Sequence, residues 1–378
     1  MHFFISAGEP SGEMHATNLI RALKTCQPDV QISGFGGDAM AAEGCQLLYP
    51  LSNHSVMGIS AVLKQLRTFK RLLDQAEDFF RTQRPNALIM IDYPGFHWKL
   101  AERARKHGIP VYFFVPPQIW AWASWRVKKM KRLCDHVFSC LPFEHEWLEK
   151  HGVPTTYIGH PYFDELKRRQ LDQHWIEGAQ KGGPVIGLLP GSRNQEVLRN
   201  LKDMLGAAKL ILSVLPQTRF LVASYNSLQA DMATRILGNS ALPVTVYVGK
   251  TPEIIAASQA CLAVSGSVSL ELMYYRTPAV ITYRIKRLAK KIKPLIMNVR
   301  FITLVNLLAD KQIFPEVISE RDCSKLLANK MLDWLENPTQ LQAVRAELTT
   351  LAEAIAQPGA CAKLANWLTA SHSPLKQQ

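Results

Sequence analysis

Short apolar runs alternate with longer helical patterns along most of this sequence, and the alternation limits the folds open to the chain. The runs lie at 2–7, 30–35, 87–92, 111–115, 136–141, 184–189, 218–223, 244–248, 260–264 and 279–283. Most are apolar throughout rather than at every second position, so helices should cover both faces of the sheets they form. The pattern predicts parallel sheets of βαβ units in a doubly wound α/β fold.

The chain has 378 residues, which predicts two domains of similar size facing a cleft. The polar segment 162–183 has no strand pattern, and we expect the interdomain hinge there. From residue 321 onward the pattern is helical only, and this tail could pack back across the domains. Its apolar residues at helical spacing are Leu326, Leu327, Met331 and Leu335.

Composition favours a folded, cytoplasmic protein with an anionic partner. There are 44 Lys and Arg against 31 Asp and Glu, a net charge of +13, which fits either nucleic acid or an anionic membrane. The seven cysteines are scattered without zinc-ligand spacing, and four histidines, His54, His97, His151 and His160, have no partner at i+4, so no metal site is indicated. We expect no export signal and only peripheral membrane contact.

Two loops that follow strands of the first half are candidate sites, since ligands of open α/β sheets bind at the carboxyl ends of strands. Gly8, Glu9, Ser11 and Gly12 follow the first strand and open a helix whose amides could face an anion, although a tight turn explains the glycines equally well. Asp92 ends a wholly apolar strand. Burial there would raise its pKa toward that of a general base; a helix cap is the alternative.

The second half has two similar loops. Gly191, Ser192 and Arg193 follow a strand and lead into a helix near Asn194, a pattern that predicts phosphate binding without a Walker A motif. The second loop follows the strand at 260–264 and also leads into a helix, and its candidate residues are Ser265, Gly266, Ser267 and Glu271. Two such loops together suggest a diphosphate ligand. Glu271 could accept hydrogen bonds from ribose hydroxyls, or simply favour the helix dipole.

Two basic, amphipathic segments indicate membrane contact. The helical pattern at 59–73 has an apolar stripe, for which core packing is the alternative. The stripe includes Leu63, Leu66, Phe69 and Leu73. The segment 284–293 carries six cations, Lys290 and Lys291 among them, and a solvated face is the alternative. A third cluster, Trp120, Trp122 and Trp125 followed by five cations, resembles a nucleic-acid surface, but no nucleic-acid-binding motif accompanies it.

Eight or more short strings in order along residues 1 to about 310 resemble the lipid-A-disaccharide synthase family. They include Ala7-Gly-Glu-Pro-Ser-Gly12, Val56-Met-Gly58, Ile91-Asp-Tyr-Pro-Gly-Phe96, Gln118-Ile-Trp-Ala-Trp122, Leu141-Pro-Phe-Glu144, Ile158-Gly-His-Pro161, Leu189-Pro-Gly-Ser-Arg193 and Ser265-Gly266. The sequence departs from the family pattern at Glu13, where Asp is frequent, and at Gly95, where some members have Asp.

The resemblance implies a GT-B fold: residues 1–165 form an N-terminal Rossmann-like domain for the acceptor, joined by C-terminal helices from about 340–378, and residues 166–340 bind the UDP-sugar. It implies an inverting glycosyltransferase without a cofactor, which transfers 2,3-diacylglucosamine from UDP to 2,3-diacylglucosamine 1-phosphate (lipid X). Asp92, Arg193 and Asn306 match positions important for activity. A peripheral location on the cytoplasmic face of the inner membrane follows, and a homodimer through the C-terminal helices is a further expectation.

Two other functions compete with this interpretation. A UDP-N-acetylglucosamine 2-epimerase would share the fold and need only a soluble substrate, which the apolar stripe at 59–73 argues against. A nucleic-acid-binding protein would share the basic charge.

Overall fold

Two compact units make up the chain: unit 1 comprises Met1–Arg168 and Gln357–Gln378, and unit 2 comprises Arg169–Ala356. The structure is a computed structural model that describes residues 1–54, 59–284 and 299–373, without the side chains of 53, 54 and 59–66. The boundary between Arg168 and Arg169 lies inside the segment 162–183, where the sequence predicts the hinge. Within the described residues no helix is long and apolar enough to cross a membrane.

Unit 1 is built on a seven-stranded parallel sheet in the order β3-β2-β1-β4-β5-β6-β7. The strands are β1 (His2–Ala7), β2 (Gln31–Phe35), β3 (Gln46–Tyr49), β4 (Ala87–Ile91), β5 (Val111–Phe114), β6 (His136–Ser139) and β7 (Thr155–Tyr157). Strand β4 explains the continuous apolar runs, because Ile89 and Ile91 enter one core cluster while Leu88 and Met90 enter another on the opposite face.

Helices cover both faces of this sheet. They are α1 (Pro10–Cys26), α2 (Asp38–Ala42), α3 (Ile59–Gln83), α4 (Pro94–Lys106), α5 (Ile119–Trp122), α6 (Val127–Leu133), α7 (Pro142–Lys150) and α8 (Tyr162–Arg168). One core cluster joins α1 to the C-terminal helix α17 (Ala360–Ser371), whose Leu364 and Leu368 are fully buried. The carboxylate of Asp164 on α8 accepts hydrogen bonds from the amides of Gly359 and Cys361, which fixes the start of α17.

Unit 2 has a six-stranded parallel sheet in the order β10-β9-β8-β11-β12-β13. The strands are β8 (Val185–Leu189), β9 (Arg219–Ser224), β10 (Val244–Val248), β11 (Ala260–Val264), β12 (Ala279–Arg284) and β13 (Glu316–Ser319). The described helices are α9 (Gln173–Gln180), α10 (Asn194–Val214), α11 (Ser227–Leu237), α12 (Thr251–Ala257), α13 (Val268–Tyr274), α14 (Leu304–Ala309), α15 (Ser324–Leu335) and α16 (Pro338–Ile355). Leu327 and Met331 of α15 enter the core with α10, whereas Leu326 is exposed.

The C-terminal boundary differs from the sequence prediction. We expected the returning segment to begin near residue 340, but α16 belongs to unit 2 and the return begins at Gln357. The guanidinium of Arg345 on α16 donates to the carbonyl oxygen of Gln259 at 3.0 Å, one of the contacts that keep this helix in unit 2. A helical pattern alone shows that a segment is a helix and does not show which sheet it covers.

Candidate active site

Strands β1, β4 and β5 are neighbours in the sheet of unit 1, so the loops after them meet at one edge. Gly8 follows β1 and packs directly on the ring of Tyr93, which follows β4. A Cβ atom at Gly8 would lie 2.2 Å from Cδ1 of Tyr93, so no other residue fits without a shift. Gly12, buried in the first turn of α1, would place a Cβ 3.4 Å from the carbonyl oxygen of Ile91. The two glycines bring the predicted N-terminal loop against the end of β4.

Asp92 leaves this edge with an unusual backbone. Asp92, Tyr93 and Val115 have φ values of +51°, +48° and +53°, in the left-handed region that L-residues seldom occupy. The Asp92 amide donates to the carbonyl oxygen of Val115 at 3.3 Å, which links the ends of β4 and β5. Asp92 is partly exposed and directly follows β4, the position at the strand end that the sequence predicts for it.

The side chain of His97 holds the backbone of Asp92 by a hydrogen bond. Its ring is fully buried, with Nδ1 2.5 Å from the carbonyl oxygen of Asp92 and Nε2 2.8 Å from the hydroxyl of Ser6. A carbonyl oxygen can only accept, so Nδ1 must carry the proton and Nε2 must accept from the Ser6 hydroxyl. Burial lowers the pKa of His97 to about 4, so the ring is neutral at pH 7. This role could not be predicted, because His97 has no neighbouring histidine or cysteine in the sequence that would indicate a site.

The N-terminal loop has one clear structural carboxylate. Glu13 accepts hydrogen bonds from the Ser52 hydroxyl at 2.5 Å and from the Ala39 amide at 2.8 Å, so it ties α1 to the start of α2. Glu9 is the N-cap residue of α1 but makes no side-chain capping hydrogen bond, and Ser11 is exposed. The dipole of α1 places partial positive charge at this loop, which favours an anion.

In unit 2, the loop after β8 is the segment that the sequence predicts to bind phosphate. Gly191 has a φ of +119°, and a Cβ there would lie 2.5 Å from the carboxylate of Glu196. Glu196 lies in the first turn of α10, where it accepts from the Arg193 amide at 3.2 Å and from its guanidinium at 3.3 Å. The Arg193 side chain is 60% exposed, so it has room to reach a ligand.

A residue that the sequence interpretation missed holds this loop in place. Gln229 is buried on α11 and donates from Nε2 to the carbonyl oxygen of Ser192 at 2.7 Å, while its Oε1 accepts from the Tyr225 amide at 3.1 Å. It therefore joins the loops after β8 and β9. A single Gln in an amphipathic helix carries no sequence signal for such a role.

In the loop after β11 and the helix that follows it, two of the predicted site residues, Ser265 and Glu271, have hydrogen-bond partners within the protein. The Ser265 hydroxyl donates to the carbonyl oxygen of Ile302 at 2.9 Å, and Gly266 and Ser267 are exposed. The following helix α13 has only seven residues, which makes it a weaker anion site than α10. Glu271 is buried and accepts from Arg169 at 2.8 Å, so one of its carboxylate oxygens already has a charged partner.

Asn306, which the resemblance places among the site residues, lies in a buried hydrogen-bond network of unit 2. It is fully buried, and its side-chain nitrogen donates to Phe314 O at 2.8 Å and to Glu316 at 2.9 Å. Its side-chain oxygen accepts from the amides of Ile313 and Phe314 at 2.9 and 2.8 Å. All four hydrogen-bonding positions of the amide are thus used within the protein. Asn306 is a positioning residue for the segment that Ser265 touches.

Glu316, also missed from the sequence, completes this support. Its carboxylate accepts from the amides of Ile302 and Thr303, from the Thr303 hydroxyl at 2.8 Å and from Asn306. Together Glu316 and Asn306 fix the chain from 302 to 316 beside the loop after β11. The sequence alone does not indicate such a role for an acidic residue at the start of a short edge strand.

The residues predicted for membrane contact lie in different environments. Phe69 packs on the rings of Tyr93 and Phe96, and Leu73 packs on the same core cluster, as the alternative of core packing predicted for this stripe. The side chains of Leu63 and Leu66, and the residues Lys290 and Lys291, lie outside the described residues. Arg284, the first cation of the basic cluster, binds the buried carboxylate of Asp203 at 3.2 Å.

Comparison with known proteins shows the family to which the chain belongs. Residues 3–369 match the family described as lipid-A-disaccharide synthetase. The lipid-A-disaccharide synthase of Trichlorobacter lovleyi is 34% identical over 365 residues, 96% of this chain and 95% of the relative. Lipid-A-disaccharide synthase 1 of Legionella pneumophila strain Lens is 32% identical over 356 residues, 93% of this chain and 92% of the relative.

Solved structures share the fold at low sequence identity. A UDP-GlcNAc 2-epimerase from Neisseria meningitidis bound to UDP-GlcNAc aligns with a TM-score of 0.65 and 12% identity, covering 98% of this chain and 99% of that one. WaaG, a glycosyltransferase involved in lipopolysaccharide biosynthesis, aligns with a TM-score of 0.56 and 12% identity, covering 98% and 100%. The chain belongs to the lipid-A-disaccharide synthetase family and is a glycosyltransferase of the GT-B fold.

Proposed function

We propose that this enzyme transfers 2,3-diacylglucosamine from UDP-2,3-diacylglucosamine to the 6-hydroxyl of 2,3-diacylglucosamine 1-phosphate (lipid X). The products are a β-1′,6-linked disaccharide 1-phosphate and UDP. The observation that carries the proposal is the match along nearly the whole chain to relatives named for this synthesis.

Asp92 is the proposed base. Its carboxylate takes the proton of the acceptor 6-hydroxyl as that oxygen attacks C1 of the donor sugar, and the bond from C1 to the β-phosphate oxygen of UDP breaks. Attack from the face opposite the leaving group inverts C1 and needs no covalent intermediate. The support for this role is the fixed backbone at Asp92, held by Val115 and His97. A base that is already oriented loses little entropy when the acceptor binds.

Unit 2 residues are proposed to hold UDP. Negative charge grows on the β-phosphate as the bond to C1 breaks, and the Arg193 guanidinium together with the N-terminal amides of α10 would stabilise it. Gly191 and Ser192 let the backbone approach the phosphates. Ser265, Gly266 and Ser267 are the candidates for the remaining contacts, and Glu271 is the candidate for the ribose hydroxyls.

Substrates with acyl chains reside in a membrane, so the enzyme must meet them at a lipid surface. We propose that the enzyme is peripheral on the cytoplasmic face of the inner membrane, where the 284–293 cluster, with Lys290 and Lys291, is attracted to anionic lipid. Leu63 and Leu66 remain candidates for insertion. Phe69 and Leu73 no longer do, because they pack on the core of unit 1.

The test is incubation of purified enzyme with UDP-2,3-diacylglucosamine and lipid X in detergent, with the product identified by mass spectrometry. A disaccharide 1-phosphate and stoichiometric UDP are expected. The alternative function, epimerisation of UDP-N-acetylglucosamine, rests on the shared fold and is tested in a parallel incubation with that sugar nucleotide. Conversion of that soluble substrate without transfer between the acylated ones would overturn the proposal.

A further inference from the structure

Two indole side chains stand out on the surface of unit 1. Trp122 is 40% exposed and Trp125 is 66% exposed, and they are the exposed large apolar side chains among the described residues of this unit. They lie three positions apart on the segment that follows β5. The Arg126 guanidinium stacks on the Trp122 ring at 4.8 Å.

Cations follow the two indoles directly. Helix α6 adds Lys128, Lys129, Lys131 and Arg132, so the segment 122–132, here named the Trp-basic surface, carries five cations and no acid. Glu102 of α4 is the neighbouring carboxylate, 3.9 Å from the Lys129 ammonium and 3.7 Å from the Arg132 guanidinium. One carboxylate against five cations leaves a strongly positive surface.

A buried tryptophan, Trp120, lies next to the two exposed indoles in the sequence. Trp120, two residues earlier, is buried and donates from its ring nitrogen to the carboxylate of Glu144 at 3.0 Å. Glu144 also accepts from the Cys140 amide at 3.0 Å, and Phe143 packs on the Trp120 ring. Trp120 therefore fixes the turn that carries the exposed Trp122 and Trp125.

We propose that the Trp-basic surface docks on anionic lipid, with Trp122 and Trp125 at the level of the headgroups. Indole rings favour the interface between lipid and water, where the apolar ring meets the acyl boundary and the ring nitrogen stays hydrated. Each nearby cation adds attraction to an anionic leaflet. The inference deepens the proposed function, since it names a contact through which an enzyme for acylated substrates reaches its membrane.

The experiment is co-sedimentation of the full chain with vesicles that contain no substrate, so its outcome does not depend on the proposed reaction. The vesicles are mixtures of phosphatidylethanolamine and phosphatidylglycerol, compared with phosphatidylcholine alone. The double variant Trp122→Ser/Trp125→Ser should bind anionic vesicles about tenfold more weakly than wild type. The matched control is Leu210→Ser/Val214→Ser, two exposed apolar residues of α10 in unit 2, which should bind as wild type does.

A charge variant separates the two contributions. Lys128→Gln/Lys131→Gln/Arg132→Gln should bind more weakly at low salt and lose less binding as salt rises, because screening acts on the charges and not on the indoles. Circular dichroism checks that each variant is folded. Wild-type vesicle binding by the folded Trp double variant would overturn the proposal.

Two further results would reassign the surface. If the Trp double variant loses transfer on detergent-dispersed substrates while keeping vesicle binding, the indoles contact a substrate sugar and the proposal is wrong. If wild type binds single-stranded RNA tightly, and ignores vesicles, the surface is a nucleic-acid site. Unchanged transfer in detergent together with weakened vesicle binding is the expected result.

Discussion

The amide of Asp92 donates to the carbonyl oxygen of Val115, and both residues have left-handed backbones. This conformation costs an ordinary residue about 1–2 kcal/mol, and a β-branched residue such as Val tolerates it poorly. It persists because neighbouring contacts impose it: the Gly8 to Tyr93 packing on one side and the His97 ring on the other. The strain is therefore located where the proposed base leaves its strand.

Replacing Asp92 by Asn should remove the base and keep the fold. Asn tolerates the left-handed region, so the backbone can stay as it is. We expect kcat to fall by about 10² to 10⁴, the usual contribution of general-base catalysis. Initial rates with both acylated substrates measure this, with the exposed Asp29→Asn as control. A wild-type kcat in Asp92→Asn would remove Asp92 from the mechanism.

His97 should make stability depend on pH in a defined window. Its folded pKa, about 4, lies below the ordinary 6.5, so the unfolded chain binds the proton first as pH falls. The stabilisation is complete above pH 6.5 and declines between pH 6.5 and 4, by about 1.4 kcal/mol per pH unit for one site.

The measurement is urea unfolding of wild type and His97→Asn between pH 4.5 and 7.5. His15 and His160, whose pKa values burial lowers to about 3 and about 4, remain in both proteins and cancel in the comparison. The variant should show a slope smaller by one proton. Equal slopes would mean that His97 is not held neutral. A lower kcat in the variant would in addition reflect a displaced Asp92.

Much of the fold could be predicted from the sequence. The ten predicted strands all form, because continuous apolar runs are the pattern of central parallel strands. The three strands that were missed, β3, β7 and β13, lie at sheet edges, and each has four residues or fewer. An edge strand is only half buried, so its residues need not be apolar and leave no pattern to find.

The candidate site was predictable in its loops and not in their supports. Gly191 and Asp92 could be chosen as candidates because a glycine or a carboxylate directly after an apolar strand is visible in the local sequence. Gln229 and Glu316 were missed because their partners lie outside their own helix or strand: Gln229 holds the carbonyl oxygen of Ser192, and Glu316 accepts from the amide of Ile302. The resemblance placed Asn306 among the site residues, but the sequence did not indicate that Phe314 and Glu316 hold its side-chain nitrogen.

Asn306→Ala should destabilise unit 2 strongly. The amides of Ile313 and Phe314 would lose a buried acceptor, and each unsatisfied buried group costs about 1–3 kcal/mol. We expect the free energy of unfolding to fall by about 3 kcal/mol or more. Asn226→Ala, which removes the N-cap of α11, should cost about 1 kcal/mol and calibrates the measurement. Equal losses in the two variants would contradict the positioning role.

Arg193 and Glu196 should have opposite effects on UDP affinity. Their ion pair is exposed and therefore weak, so the guanidinium can leave Glu196 for a diphosphate, with which it forms stronger charge-assisted hydrogen bonds. Arg193→Ala should raise the inhibition constant of UDP about tenfold, the loss of about 1.4 kcal/mol of binding. Glu196→Gln should lower it or leave it unchanged, because a competing carboxylate is gone.

Product inhibition by UDP, measured at fixed lipid X, gives both constants. Arg199→Ala is the matched control, since this exposed arginine lies further along α10. An unchanged inhibition constant in Arg193→Ala, with transfer impaired, would move Arg193 from the donor diphosphate to the 1-phosphate of the acceptor. A raised constant in Glu196→Gln would instead mean that Glu196 positions Arg193 for UDP, and the exposed ion pair would be part of the bound state.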